Sequence, residues 1–369
     1  FNFSLEGWNS LNWNLSEKRV LGLEPVSTCS NLVIFGKPGS GKTTFLQYIA
    51  LQFSQGKLQP ERIPIFIRLR NLLEGASEVE NLSLSSYIKQ ELCNSGISEQ
   101  QAESLLRYGK ALILLDGLDE VQEKDSNTVQ KQIRQLSEEY YKNQVIITCR
   151  TAAQQYQFEG FTDTEIADFD QAQIAAFVHK WFVSVGRNSR KKGLAKAAQF
   201  MEKLQLLENR QIRELAMTPL LLHLACSTFQ ALGDFSAERT DFYKQVLDIL
   251  LFRLDEARGI KRDSPYSSLS LVQKMQVLSQ IAAKTFEQDS YFFKKSTLQQ
   301  YIINYLRTST TASSDPEALQ LEGERVLRAI EAQHGLLVEQ GQGLYSFSHM
   351  AFQVLLTAKD IINSSNLPT

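Results

Sequence analysis

One stretch, Gly36-Lys37-Pro38-Gly39-Ser40-Gly41-Lys42-Thr43-Thr44, constrains this chain more than any other. It fits the pattern G-x-x-x-x-G-K-[ST] and lies between a strand-like run, Asn31 to Phe35, and a helix-like run, Phe45 to Phe53. A strand, a glycine-rich turn and a helix in that order make a phosphate cradle. The glycines let backbone N–H groups turn toward the α- and β-phosphates, Lys42 can reach the β- and γ-phosphates, and the Thr43 hydroxyl can bind Mg²⁺ at the positive end of the helix. The competing reading is a glycine-rich turn that only caps a helix, and the flanking strand and helix speak against it.

A second element matches the first. Ala111 to Leu115 is an all-apolar run of buried-strand type, followed by Asp116-Gly117-Leu118-Asp119-Glu120. In an open α/β sheet ligands lie outside the carboxyl ends of the strands, so Asp116 is expected beside the phosphate loop, where it and Thr43 can serve Mg²⁺. Asp119 and Glu120 follow within one turn, and either can orient and deprotonate an attacking water; Glu120 is the first candidate and Asp119 the second. A solvated acidic turn is the plain alternative, and the apolar strand directly before the acids disfavours it. A third strand, Gln144 to Arg150, ends in Cys149-Arg150. Arg150 is a candidate γ-phosphate sensor, against the alternative of a strand-end arginine facing solvent. The chemistry so far calls on Lys42, Asp116, Asp119, Glu120 and Arg150 for catalysis, and on Thr43 and Asp116 for the metal.

The phosphate loop, the D-G-L-D-E element and the I-I-T-C-R strand together resemble the NACHT class of signal-transducing ATPases with numerous domains, relatives of NOD-like receptors, in their bacterial type. The small residue after the first Asp and the acidic pair three and four positions on carry most of the likeness. Leu215-Ala216-Met217-Thr218-Pro219-Leu220-Leu221-Leu222 is similar to the family's helical segment, whose proline packs on adenine. Tyr345 to Gln353 resembles its winged-helix motif, whose histidine touches the β-phosphate of ADP in a closed state. The resemblance therefore implies that Pro219 and His349 complete an adenine-nucleotide site. It also marks a departure, since Val354 follows Phe352-Gln353 where the family commonly has an acid. The likeness spans about residues 20 to 360.

At 369 residues with 43% hydrophobic content the chain has material for two or three cores. A net charge of −2 gives no global pull toward nucleic acid or anionic membrane. The short basic run Arg187 to Lys192 reads as a solvated loop, with an interaction surface as its alternative. Cys29, Cys93, Cys149 and Cys226 show no metal-site spacing and read as reduced thiols, which suggests a cytoplasmic compartment. No apolar run approaches the roughly 18 residues of a membrane span. The first residue is Phe1, so the chain is expected to be a piece of a longer protein whose flanking domains carry sensing and output.

The expected fold class is α/β: a doubly wound parallel P-loop NTPase sheet, followed by an all-α helical domain and a winged-helix domain. Residues 1–20 are a lead-in, 21–168 the nucleotide-binding domain, 169–232 the helical domain, 233–362 the winged-helix domain and 363–369 a tail. Arg307 to Pro316 reads as a polar spacer. Gly335 to Gln340 and Leu344 to Phe347 read as a hairpin after helices, and hence a wing. Its helices are not rich in Lys or Arg, which favours packing over DNA reading.

The implied function is an ATP/ADP switch with Mg²⁺. ADP holds the chain closed through Pro219 and His349; ATP, read by Arg150, opens it and leads to homo-oligomers; slow hydrolysis resets it. The trigger and effector lie on flanking domains, and a role in innate immunity or antiviral defence follows only from the resemblance. The alternative is a mechanical or nucleic-acid-transacting P-loop ATPase, which the missing basic groove disfavours. A degenerate scaffold is a third reading, opposed by the intact Lys42, Thr43, Asp116 and Glu120.

Overall fold

Five strands pair in parallel in the order β2-β3-β4-β1-β5 in the computed structural model. It describes residues 19–74, 83–121, 123–151, 158–185, 189–235, 239–253, 269–288, 290–308, 316–341 and 343–364. The strands are β1 (Leu32–Gly36), β2 (Ile63–Arg68), β3 (Ala111–Asp116), β4 (Gln144–Arg150) and β5 (Thr162–Glu165). Burial on both faces explains why β1, β3 and β4 are buried at every residue and rich in Val, Ile and Leu. Pro64, which cannot donate to a ladder, is tolerated because β2 is an edge strand paired only with β3. The other edge, β5, reads Thr-Asp-Thr-Glu and is largely exposed, so no apolar run announces it in the sequence.

Side chains alternate across this sheet. Leu32, Ile34, Leu112, Leu114 and Ile146 face one side, where they pack with Val26 of α1 (Leu23–Thr28) and with Leu46, Ile49 and Phe53 of α2 (Lys42–Ser54). Val33, Phe35, Ile113, Leu115, Val145, Ile147 and Cys149 face the other. There they meet α4 (Leu84–Asn94), α5 (Glu99–Arg107) and α6 (Glu123–Glu139). A short α3 (Leu69–Glu74) follows β2 directly. At the amino ends of the strands amide side chains tie off the backbone: Asn143 accepts from Ala111 N at 2.9 Å, Asn31 accepts from Val145 N at 2.9 Å, and Gln144 donates to Val26 O at 2.7 Å. The opposite, carboxyl ends carry the acids and the phosphate loop.

The chain divides into two compact units, one formed by the described residues from Val20 to Ala167 and the other by those from Asp168 onward together with Arg19. The first contains the five-stranded sheet. In the second, α7 (Gln171–Lys180) runs on into a π-turn, Trp181–Val185, and is followed by α8 (Arg190–Gln205), α9 (Arg210–Leu215) and α10 (Pro219–Leu232). Then come α11 (Arg239–Asp248), α12 (Leu271–Glu287), β6 (Phe293–Lys294), α13 (Lys295–Thr308), α14 (Pro316–His334), β7 (Leu337–Gly341), β8 (Leu344–Phe347) and α15 (Met350–Ser364). The expected hairpin is β7–β8, antiparallel with Leu337 opposite Phe347, and β6 adds a third strand beside β8. One continuous core joins the helices before residue 232 to those after 239. Its centre is aromatic, with Phe182, Phe200, Phe229 and Phe235 meeting at centroid separations of 5.1 to 6.1 Å.

Most of the lead-in, most of the spacer and most of the tail fall outside the described residues, as do Arg187 and Asn188 of the basic run. The rest of that run, Arg190, Lys191 and Lys192, forms the exposed first turn of α8 rather than a loop. Among the described residues no helix is long and apolar enough to cross a membrane.

Candidate functional site

The loop from Gly36 to Thr44 joins β1 to α2, as the glycine spacing requires. Gly39 and Gly41 have φ of 77° and 95°, left-handed conformations that side chains resist. Gly36 is needed for space, because a Cβ there would lie 2.6 Å from Ser40 Oγ. Gly41 caps α2 without any side-chain hydrogen bond, so the first N–H groups of the helix are left to an anion by the protein's own side chains. The buried Ser40 hydroxyl likewise has no hydrogen-bond partner among the described residues. Lys42 folds back over the loop and donates from Nζ to Gly36 O at 2.6 Å and Lys37 O at 3.1 Å. Lys37 and Thr44 are exposed, while Pro38 and Gly39 form the half-buried turn between them.

Asp116 ends β3 with 5% exposure and meets two hydroxyls through the same oxygen. Thr43 Oγ1 donates to Asp116 Oδ1 at 3.2 Å, and Thr148 Oγ1 donates to it at 2.7 Å. Thr148 Oγ1 also accepts from Gly117 N at 2.9 Å. One buried hydroxyl on β4 therefore fixes both the carboxylate and the backbone just beyond it. Hydroxyl and carboxylate oxygens are the donors a hard divalent cation takes, so Thr43 and Asp116 suit Mg²⁺, which normally keeps water and substrate oxygens in its remaining positions.

The acids that follow part company. Gly117, at φ 80°, turns the chain into a short 3-10 segment, Leu118–Glu120; a Cβ there would lie 2.9 Å from the Glu120 carboxyl carbon. Asp119 accepts from Arg150 N at 3.0 Å through Oδ1, and its Oδ2 lies 2.9 Å from Arg150 Nε. The two side chains of that pair are 5% and 4% exposed. Glu120 instead lies 3.7 Å from Arg70 Nη1, at the start of α3. Burial pushes the Cys149 thiol well above its ordinary range, and the Asp119 charge adds to this, so Cys149 packs under the site as an apolar group.

The structure thus brings together Lys42, Thr43, Asp116, Asp119, Glu120 and Arg150 at the carboxyl ends of β1, β3 and β4. Pro219 and His349 belong to the second unit. Pro219 opens α10 at its first turn, where a missing N–H costs no hydrogen bond. His349 is half-buried just before α15, its ring edge-on to Phe352 at 5.6 Å. Gln353 is buried and ties α15 back to the fold, donating to Thr285 Oγ1 at 3.0 Å and Ser290 O at 3.2 Å. Val354 is 40% exposed.

Two residues of the site were absent from the sequence reading. Thr148 carried a signal, because a hydroxyl inside a buried apolar strand has to find a partner and its level is that of Asp116. Arg70 carried none, since only the fold sets α3 beside the acidic turn.

The NACHT domain model matches residues 30–184, and the model of the winged helix-turn-helix domain C-terminal to NACHT matches residues 239–361. NLR family CARD domain-containing protein 4 of Rattus norvegicus is 25% identical over 244 residues, 64% of this chain and 22% of that protein. The chain spans about a fifth of the length of the curated relatives it matches. Among solved structures, the Aeropyrum pernix ORC2 protein in ADPNP–ADP complexes is 11% identical, with 91% of this chain and 89% of that chain covered, at a TM-score of 0.37. A signal transduction ATPase with numerous domains and a tetratricopeptide repeat sensor from Pyrococcus horikoshii is 13% identical, with 91% and 41% covered, at a TM-score of 0.34.

Proposed function

The chain belongs to the NACHT family of P-loop nucleoside triphosphatases, with the winged-helix domain that follows NACHT behind it, and from that premise we propose an ATP/ADP-dependent signalling switch. The observation that carries the reading is the shared contact of Thr43, Asp116 and Thr148 at the mouth of a phosphate loop whose helix has no side-chain cap. That arrangement suits a nucleoside triphosphate with its divalent cation.

Lys42 and the N–H groups of the loop and of α2 bind the phosphates, and Ser40 adds a hydroxyl. Thr43 and Asp116 hold Mg²⁺, which when bound neutralises charge on the β- and γ-phosphate oxygens. Thr148 keeps Asp116 aimed at that position. Glu120 takes the proton of the attacking water, and Arg150 senses the γ-phosphate. Pro219 packs on adenine and His349 contacts the β-phosphate in the ADP state. ATP opens the chain, which then forms homo-oligomers, and slow hydrolysis resets it. A trigger and an effector on flanking domains complete the signal, in a cytoplasmic immune or antiviral defence pathway.

Energetics assign the trigger a real share. Driving such a switch from one to ninety-nine per cent active takes about 5.5 kcal/mol. A single histidine–phosphate contact supplies about 1.5 to 3 kcal/mol, so trigger binding provides the remainder. The test is the nucleotide released on denaturing the freshly purified chain, compared with Lys42→Ala and His349→Ala. The switch predicts near-stoichiometric ADP, lost in Lys42→Ala and loosened in His349→Ala. An empty site with rapid turnover indifferent to His349 would sink it.

A further inference from the structure

We propose that Asp119 is a positioning residue for Arg150, which leaves Glu120 as the acid that activates water. The assignment rests on the nucleotide-switch reading of the site and divides the labour within its acidic pair.

The geometry comes from the alternation of β4. Thr148 and Arg150 are two residues apart, so they lie on one face of the strand, the face shared with Ile146 and covered by α2. Cys149 between them points into the opposite core. Along that single face the two β4 side chains take the acids of the β3 turn in order: Thr148 holds Asp116 at 2.7 Å, and Arg150 meets Asp119 at 2.9 Å. The register places Arg150 level with Gly36, the first residue of the phosphate loop. A guanidinium held at that level stands next to the loop that carries the phosphates.

Asp119 Oδ1 accepts from the backbone N–H of Arg150, and Oδ2 lies 2.9 Å from Arg150 Nε as an ion pair. A backbone hydrogen bond together with a buried ion pair beside the stem end of the guanidinium holds the arginine against this acid, and a phosphate sensor needs its charge held in place. To act as a base, Asp119 would have to leave an arginine whose side chain is 4% exposed, stranding a buried charge. Glu120 meets Arg70 Nη1 at a longer distance, 3.7 Å, in a pair whose side chains are 8% and 20% exposed. At 3.7 Å the carboxylate makes no hydrogen bond to that nitrogen, so taking up a water breaks none there.

The experiment measures affinities for Mg²⁺ with ADP and with a non-hydrolysable ATP analogue by titration calorimetry, together with single-turnover ATP hydrolysis. The variants are Asp119→Asn, Asp119→Glu, Arg150→Ala, the Asp119→Asn/Arg150→Ala double and Glu120→Gln. Asp119→Asn and Arg150→Ala should each weaken the ATP analogue by roughly ten- to a hundred-fold, the worth of one charge-assisted hydrogen bond, while ADP affinity changes less than about three-fold. The double variant should be no worse than the poorer single, because the two residues act as one unit. Glu120→Gln should abolish hydrolysis with the ATP-to-ADP affinity ratio intact. Asp119→Glu, which keeps the charge, should recover part of the discrimination, and it stands in if Asp119→Asn melts early in thermal unfolding. The assignment is overturned if Asp119→Asn stops hydrolysis with an unchanged affinity ratio, or if the two single losses add. A wild-type chain that binds neither nucleotide overturns the switch reading itself, and this assignment with it.

Discussion

The two units of this protein handle buried polar groups in opposite ways. In the sheet unit the buried polar side chains gather at the strand ends: amides at one end stitch strands to loops, and Asp116, Thr148, Asp119 and Arg150 crowd the other. In the helical unit buried polar groups form scattered local ties, such as Gln353 to Thr285 and Ser290 or His334 Nδ1 against Leu250 O at 2.8 Å, set in one large aromatic and aliphatic core. The difference follows from geometry. Parallel strands end together in one plane, so their terminal side chains converge, whereas helices present a stripe along their length and their polar residues meet only where a neighbour crosses.

That contrast can be broken most forcefully in the helical unit. Phe229 is 1% exposed and touches three other phenylalanines, so Phe229→Ala should cost about 3 to 5 kcal/mol of stability in urea unfolding. Nucleotide affinity of the folded fraction is the discriminating readout; if it fell as far as stability did, the two units would not be energetically separate.

In the sheet unit the expected loss is smaller but reaches the ligand. Thr148→Val keeps the shape of the side chain, removes its bond to Asp116 and leaves Gly117 N without it. Stability should fall by about 1 to 3 kcal/mol, with Mg²⁺-dependent ATP binding weakened in parallel, and Thr148→Ser should restore most of both. Equal Mg²⁺ dependence in wild type and Thr148→Val would show that the hydroxyl only supports the fold.

The smallest effect concerns pH. Burial pushes the Glu331 carboxyl above its ordinary value, partly offset by Glu339 N at 3.1 Å and the Tyr345 hydroxyl at 3.1 Å. A folded carboxyl that holds its proton more tightly than the unfolded one contributes stability when protonated. That contribution is present below the ordinary carboxylate range and is lost as pH rises through the raised value. Melting temperatures from acid to neutral pH should therefore decline less in Glu331→Gln than in wild type, a difference confined to that window. Parallel curves would remove Glu331 from the account.

The phosphate loop, the three buried strands and the acids after β3 were all legible in the sequence, because each is a local pattern: glycines where φ must be positive, apolar runs where both faces are covered, and charge where a strand leaves the core. The hairpin and most helices were legible for the same reason. Strand β5 was not, since an exposed edge needs no apolar residues, and β6 is too short to show a period. What no spacing could decide is which partner each acid takes. Asp119 and Glu120 are neighbours in the chain and read alike, yet the placement of β4 between β1 and β3 gives one to Arg150, and the turn of the chain after β2 gives the other to Arg70. The sequence alone determined the glycine-turned loop between strand and helix and which residue types surround it, because backbone conformation and burial are written locally. The division of roles within the site belongs to the tertiary structure, because it depends on residues 31 and 50 positions away in the chain that only strand order brings within reach.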